Sequence, residues 1–68
     1  MVRYIILVNA DGTEHSLYEW FDFDQVLSDP TKFYLTHDTC GRPFRVVDEF
    51  QAASWDEAMM VYERSMSC

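Results

Sequence analysis

The sequence predicts an α+β fold: a four-stranded, mostly antiparallel sheet, made of two hairpins joined by a short helix, with one C-terminal helix packed on one face. Two pairs of segments rich in Ile, Val, Tyr and Phe surround Gly-containing turn clusters, which is typical of hairpins. Near the end, a serine followed by acidic residues precedes an apolar stripe at helical spacing. The length of 68 residues indicates one small domain over residues 1–68, and the net charge of −7 makes that domain acidic.

The first hairpin is predicted over residues 2–20. Residues 2–9 are rich in Ile, Val and Tyr, and Asp11-Gly12 supplies the positive-φ residue that a tight turn needs. The second arm, residues 13–20, carries Thr, Leu, Tyr and Trp between charged residues, which suits a strand with one face in water.

A short helix is predicted after the first hairpin. Asp22 and Gln25 have the spacing of a capping box, so we expect Asp22 to cap about two turns of helix or 3₁₀ structure. The sequence Ser28-Asp29-Pro30 is expected to end it.

The second hairpin is predicted over residues 32–51. Residues 32–37 have the composition of a strand, and a cluster of turn residues at 38–43 separates them from a second strand at 44–51. This hairpin supplies the third and fourth strands.

The C-terminal helix has the clearest local signal. Ser54 is a good N-cap, Glu57 completes a capping box, and acidic residues suit the positive end of the helix. An apolar stripe then repeats at helical spacing and is expected to close the core. Its members are Trp55, Ala58, Met59, Tyr62 and Met66.

One helix covers one sheet face, yet the first strand is apolar on both faces. Two interpretations remain open. An uncovered face would be a site of homodimerisation, with Ile5, Leu7 and Val47 at the seam. Alternatively, the segment around Phe23, Val26 and Leu27 folds back over it.

The composition and net charge restrict the classes of protein to which this chain can belong. Hydrophobic residues make up 49% of the chain, which excludes an intrinsically disordered protein. The apolar run at residues 4–8 is shorter than a signal-peptide core or a membrane span, so we expect a cytoplasmic protein with its two cysteines reduced. The net charge of −7 disfavours direct binding of nucleic acid or membrane and favours basic partners.

No motif predicts catalysis or a cofactor. The potential zinc ligands are His15, His37, Cys40 and Cys68, but they lack the two close ligand pairs of structural zinc sites. Cys40 with His37 resembles a thiol and its base, but a single tight turn supplies no oxyanion hole. We therefore expect no enzyme, no metal and no cofactor.

The charge pattern points to a binding surface instead. The 28 residues between Arg3 and Lys32 contain six acids and no Lys or Arg, with aromatic residues interleaved. Aromatic anchors ringed by one sign of charge are typical of protein-binding hot spots. The predicted partner-binding residues are Glu14, Tyr18, Glu19, Trp20, Phe21, Asp22 and Asp24. The alternative is a solubilising surface with these aromatics in the core.

A second acidic cluster flanks the start of the C-terminal helix and would extend the same surface. Its members are Asp48, Glu49, Asp56 and Glu57. Acids at i and i+2 of a strand stand about 6.7 Å apart, close to twice the spacing of phosphates along one DNA strand. A row of carboxylates in a strand would therefore act as a DNA mimic.

In size, acidity and lack of an active site, the chain resembles the small inhibitors that phages and other mobile elements encode against host defence, including anti-CRISPR and anti-restriction proteins. The resemblance is one of composition, so it transfers no functional residue. It implies a protein acting in the host cytoplasm that blocks a basic, nucleic-acid-handling complex. The alternative function is the structural or assembly module that homodimerises through an apolar sheet face.

Overall fold

The computed structural model describes residues 1–66 and shows an α+β fold. In chain order, the elements are β1 (Val2–Val8), β2 (His15–Glu19), α1 (Phe23–Leu27), a 3₁₀ turn (Pro30–Lys32), α2 (Phe33–Thr36), β3 (Arg45–Ala52) and α3 (Trp55–Met66). Within these residues the sheet has three strands in the order β2-β1-β3, and both pairs are antiparallel. The predicted fold class and C-terminal helix are confirmed.

The central strand β1 forms the core of the molecule. Residues 4–8 are all at most 4% exposed, so side chains on both faces of the strand are buried. Its Ile5 is paired with Tyr18 of β2 and with Glu49 of β3. Strands whose two faces are both covered are apolar on both faces, and β1 has this pattern.

Helix α3 covers the face that carries Tyr4. The Ser54 hydroxyl accepts the N–H of Glu57 at 3.3 Å, as the capping signal predicts. At the start of α3, the Trp55 ring packs edge-on against the Tyr4 ring, with the two ring centroids 5.8 Å apart. Ala58 is fully buried and belongs to the same core cluster as Tyr4. Three members of the predicted apolar stripe, Trp55, Ala58 and Tyr62, therefore contact the sheet, although Trp55 remains 49% exposed.

The opposite face of β1 is also covered within the chain. Ile5 and Leu7 point to this face and are 0% and 1% exposed. The segment of α1 and α2 contributes the buried Val26 and Thr36. The prediction of an uncovered face at Ile5 and Leu7 is therefore wrong. The burial of Val26 agrees with the fold-back interpretation, whereas Leu27 and Val47 remain 41% and 45% exposed.

The predicted fourth strand at residues 32–37 is not found, because this segment is helical. The Asp29 carboxylate accepts hydrogen bonds from the N–H and hydroxyl of Thr31 at 2.9 and 2.7 Å, and Pro30 occupies the first helical position. The Asp-Pro pair thus starts a new helical turn as well as following the end of α1. The predicted second strand of this hairpin is found as β3 (Arg45–Ala52), which pairs with β1 instead. Within residues 1–66, the pairing predicted between the two arms is reduced to an isolated bridge between His37 and Pro43.

No helix within residues 1–66 has the length and apolarity needed to cross a membrane.

Candidate functional site

The predicted partner-binding residues follow one another from the first turn to α1. Glu14 precedes β2, and Tyr18 and Glu19 end it. Trp20 and Phe21 then lead to Asp22, which caps α1, and to Asp24 in the first turn of that helix. All four acids are exposed, and Trp20 and Phe21 are half-buried. Tyr18 is 36% exposed.

The structure does not bring these residues onto a single face. Tyr18 is paired with Ile5 and points to the α1 side of the sheet, whereas Glu19 is paired with Tyr4 and points to the α3 side. Glu14 lies at the other end of β2, a strand about 13 Å long at 3.3 Å per residue. The site is therefore centred on the junction of β2 and α1, with Glu14 as an outlying member.

Three aromatic rings form a row at this junction. Tyr18 and Phe21 are in edge contact with centroids 6.3 Å apart, and Phe21 and Phe23 are also separated by 6.3 Å. Between them, the Asp22 carboxylate accepts the N–H of Gln25 at 3.2 Å and holds the start of α1. Phe23 thus joins the site, although it was not among the predicted residues, because the bend at residues 20–22 is not evident from the sequence.

Trp20 is held by intramolecular contacts. The Arg3 guanidinium lies 4.2 Å from the centre of its ring, and Arg3 also forms an ion pair with Glu49 at 3.4 Å. The indole Nε1 is buried and has no hydrogen-bond partner among the described residues. Tyr18 is therefore the more accessible of the two predicted anchors.

The acids of the site form no ion pair with another described residue. Arg3 pairs with Glu49, and Arg42 pairs with Asp11 and Asp38. Within residues 1–66, none of the ion pairs includes the four acids predicted to bind a partner. Those acids are Glu14, Glu19, Asp22 and Asp24.

No row of acids runs along a strand in this region. Asp22 and Asp24 have the i, i+2 spacing, but they lie at the start of α1, where the extended-strand distance does not apply. Within β2, Glu19 is the acidic residue. The regular strand-borne phosphate imitation expected from the sequence is therefore absent here.

The second acidic cluster is used in local contacts. Asp48 accepts the N–H of Glu49 at 2.8 Å, and Glu49 is the partner of Arg3. The carboxylate of Glu57 accepts the N–H of Ala53 at 3.2 Å, which stabilises the entry to α3.

A separate polar cluster joins the two turns. The Arg42 guanidinium bonds Asp11 at 2.8 Å and Asp38 at 3.0 Å. Hydrogen bonding to Asp11 raises the pKa of Arg42, and the N–H groups of Arg42 and Cys40 hold the pKa of Asp38 below its ordinary value. The cluster borders an open cleft of about 520 Å³ that also includes Tyr34.

The predicted thiol and zinc candidates do not converge. The His37 ring stacks on Phe33 with centroids 3.8 Å apart, and its Nδ1 lies 2.8 Å from the Thr36 hydroxyl. Cys40 is exposed, and Cys68 lies outside the described residues. Residues 1–66 contain no group of three or more His, Cys, Asp or Glu side chains placed to hold a metal ion.

The chain matches no protein-family model, and no curated protein or solved structure shows significant similarity to it.

Proposed function

We propose that this protein is a small acidic binding protein without enzymatic activity. It would inhibit a larger, basic, nucleic-acid-handling complex by covering the surface that the nucleic acid occupies. The observation that carries the proposal is the junction of β2 and α1. There, exposed acids that form no ion pair within residues 1–66 flank a partly exposed row of aromatic rings. We call this junction the β2–α1 surface; it comprises Tyr18, Glu19, Phe21, Asp22, Phe23 and Asp24.

The acids would act mainly on association. With a net charge of −7 and unpaired carboxylates on this side, the molecule is attracted to a positive patch before contact. Carboxylates that already have an intramolecular partner, such as Glu49, contribute less, because part of their field is neutralised.

The aromatic rings would hold the complex together. Tyr18 is accessible at the edge of the row, and Phe21 and Phe23 behind it exclude water from one side of the contact. Tyr is among the residues that most often dominate binding energy, because it combines a large rigid ring with a polar tip. Trp20, packed under Arg3, supports the shape of the surface rather than forming its centre.

Competition requires charge and shape but no regular phosphate spacing. A groove lined by Lys and Arg binds nucleic acid largely through counter-ion release, and the same groove attracts clustered carboxylates. The compositional resemblance to phage-encoded inhibitors supports a partner of this kind. The homodimerising alternative has less support, because Ile5 and Leu7 of its expected seam are buried inside the chain.

The test is affinity capture from bacterial lysate with a salt elution series, followed by identification of the bound proteins. The double variant Glu19→Gln/Asp24→Asn removes two charges from the β2–α1 surface. The matched control, Asp56→Asn/Glu63→Gln, removes two charges from α3. We expect a basic nucleic-acid-handling complex to elute at lower salt from the first variant and at wild-type salt from the control.

Tyr18→Ala is expected to weaken the same capture by about 2 kcal/mol while the protein stays folded. Equal capture by all variants, or recovery of no basic partner, would show that the β2–α1 surface is not the binding site.

A further inference from the structure

The hydrogen bonds at both ends of the first hairpin show which main-chain groups of β2 face away from the sheet. Trp20 donates its N–H to the carbonyl of Arg3 at 2.9 Å, and Asn9 donates its N–H to the carbonyl of Glu14 at 3.0 Å. Both bonds fit one antiparallel register, in which bonded and non-bonded pairs alternate. The residues whose N–H and C=O groups face outward are therefore His15, Leu17 and Glu19.

This outer edge of β2 is open over most of its length. The carbonyl of His15 accepts the hydroxyl of Tyr62 at 2.9 Å, which agrees with the alternation. Within residues 1–66, the outward groups of Leu17 and Glu19 have no hydrogen-bond partner. These two residues present two donors and two acceptors in the geometry that an added strand needs.

The other edge of the sheet, on β3, is partly protected. The same alternation directs the N–H groups of Glu49 and Gln51 outward, and the Asp48 carboxylate takes the N–H of Glu49 at 2.8 Å. A register shift opposite Ile6 and Leu7 also interrupts the regular pattern of this strand. A local carboxylate and a bulge are both devices that discourage pairing at an edge.

The negative charges around the open edge of β2 favour a positively charged partner. Glu19 lies on the edge itself, Glu14 precedes it, and Asp22 and Asp24 follow it, all without ion-pair partners among the described residues. Side chains directly opposite each other on paired strands are about 5 Å apart, which is within reach of an ion pair.

We infer that the edge of β2 at Leu17 and Glu19 binds an extended, Lys- or Arg-bearing segment of the partner as an added strand. This inference rests on the proposed function and specifies how the partner is held. Main-chain hydrogen bonds to Leu17 and Glu19 would give the affinity, and a basic side chain opposite Glu19 would give the preference for charge.

The first test uses a peptide in which Lys alternates with Val, together with two versions of equal charge. One is N-methylated on the Lys amides and the other on the Val amides, and binding is measured by titration calorimetry. An added strand turns one alternate set of amides toward β2, so one methylated peptide should bind about tenfold more weakly and the other should bind normally. If both methylated peptides bind as tightly as the parent, strand addition is wrong while salt-dependent acidic docking stands. If the parent peptide does not bind, strand addition is wrong, and the capture experiment still decides the proposed function.

The second test uses variants of the protein against the same parent peptide. Glu19→Pro removes the charge and the outward N–H, whereas Glu19→Gln removes the charge alone; neither takes a hydrogen bond from the sheet. Gln51→Pro is the matched control on the β3 edge. We expect the Pro variant at position 19 to bind about tenfold more weakly than the Gln variant, and Gln51→Pro to bind like the wild type. Equal binding by the two position-19 variants overturns the inference.

Hydrogen exchange of the wild-type protein gives a readout that is independent of how the Pro variants fold. Saturating peptide should slow exchange at the amides of Leu17 and Glu19 and leave that of Gln51 unchanged. Unchanged exchange at Leu17 and Glu19 in the bound state would also overturn the inference.

Discussion

Tyr62 donates a hydrogen bond from its hydroxyl to the main-chain carbonyl of His15 at 2.9 Å, which joins residues 47 positions apart. Because α3 begins beside the end of β3, this bond shows that the helix crosses the sheet and reaches the start of β2. It also occupies one outward carbonyl of β2. The open part of that edge therefore begins after His15, next to the β2–α1 surface.

Replacing Tyr62 with Phe should lower the free energy of unfolding by about 1 kcal/mol, because the half-buried carbonyl of His15 loses its donor. Chemical denaturation measures this. Tyr34→Phe is the control, since Tyr34 is 73% exposed and its hydroxyl forms no hydrogen bond within the described residues. Equal stability of the Tyr62 variant and the wild type would mean that the bond does not fix α3.

Replacing Ser54 with Ala should destabilise the protein by about 1 kcal/mol, because the N–H of Glu57 loses its cap at the start of α3. The loss should appear as a lower helical signal and a lower melting temperature in circular dichroism. Ser54→Asp, which restores a capping oxygen, should recover most of it. An equally destabilised Asp variant would indicate that the effect does not come from capping.

Replacing Gly12 with Ala should destabilise the protein by about 1 kcal/mol, because Gly12 has a φ of +74° that a Cβ disfavours. A Cβ at this position would have no neighbour within 4 Å, so the cost is conformational rather than steric crowding. Gly12→Asn should lose less stability than Gly12→Ala, since Asn tolerates positive φ better than Ala does. Thermal melts of the two variants should therefore rank Asn above Ala.

The turn around Asp38 should make the fold sensitive to acid. Hydrogen bonds from the Arg42 and Cys40 N–H groups, together with the Arg42 charge, lower the pKa of Asp38 in the folded state from an ordinary value of 3.8. The ionised Asp38 carboxylate therefore contributes its full stabilisation above pH 3.8. This contribution is lost as the pH falls through the lower pKa that Asp38 has in the folded protein. Asp38→Asn should flatten the dependence of unfolding free energy on pH in this range. A variant with the wild-type acid dependence would contradict the assignment.

Ile5 and Val47 should respond very differently to truncation. Ile5→Ala should cost about 3 kcal/mol, because Ile5 is fully buried between the sheet and its covering layer. Val47→Ala should change stability by less than about 0.5 kcal/mol, since Val47 is 45% exposed. Denaturation of both variants at several protein concentrations measures the two effects. A concentration-dependent loss at Val47 would instead favour a dimer through this residue.

Several local features were predictable because their signals lie within a few residues of each other. The Asp11-Gly12 turn has positive φ at its glycine, Asp22 caps α1, and Ser54 caps α3. Each depends on the conformational preference of one residue or on one side-chain oxygen reaching a nearby N–H group. Residues 32–37 were predicted wrongly, because their β-type composition was outweighed by the Asp29 cap and by Pro30 at a helix start.

The candidate site was predictable as a list of residues but not as a surface. The excess of acids and the interleaved aromatics are evident in the sequence, but whether a ring is exposed depends on the bend between β2 and α1. That bend places Phe23 beside Phe21. The packing of Trp20 under Arg3 depends instead on the pairing of β1 with β2.

The sequence by itself determined the fold class, the first hairpin, the caps and the acidic character of the surface, because these follow from local preferences and from counting charges. The tertiary structure decided that both faces of β1 are covered, that the sheet ends at three strands within residues 1–66, and which edge of it is open. These properties depend on contacts between residues far apart in the chain. Local propensity carries no information about such contacts, and a shift of one residue in strand pairing would exchange the two faces.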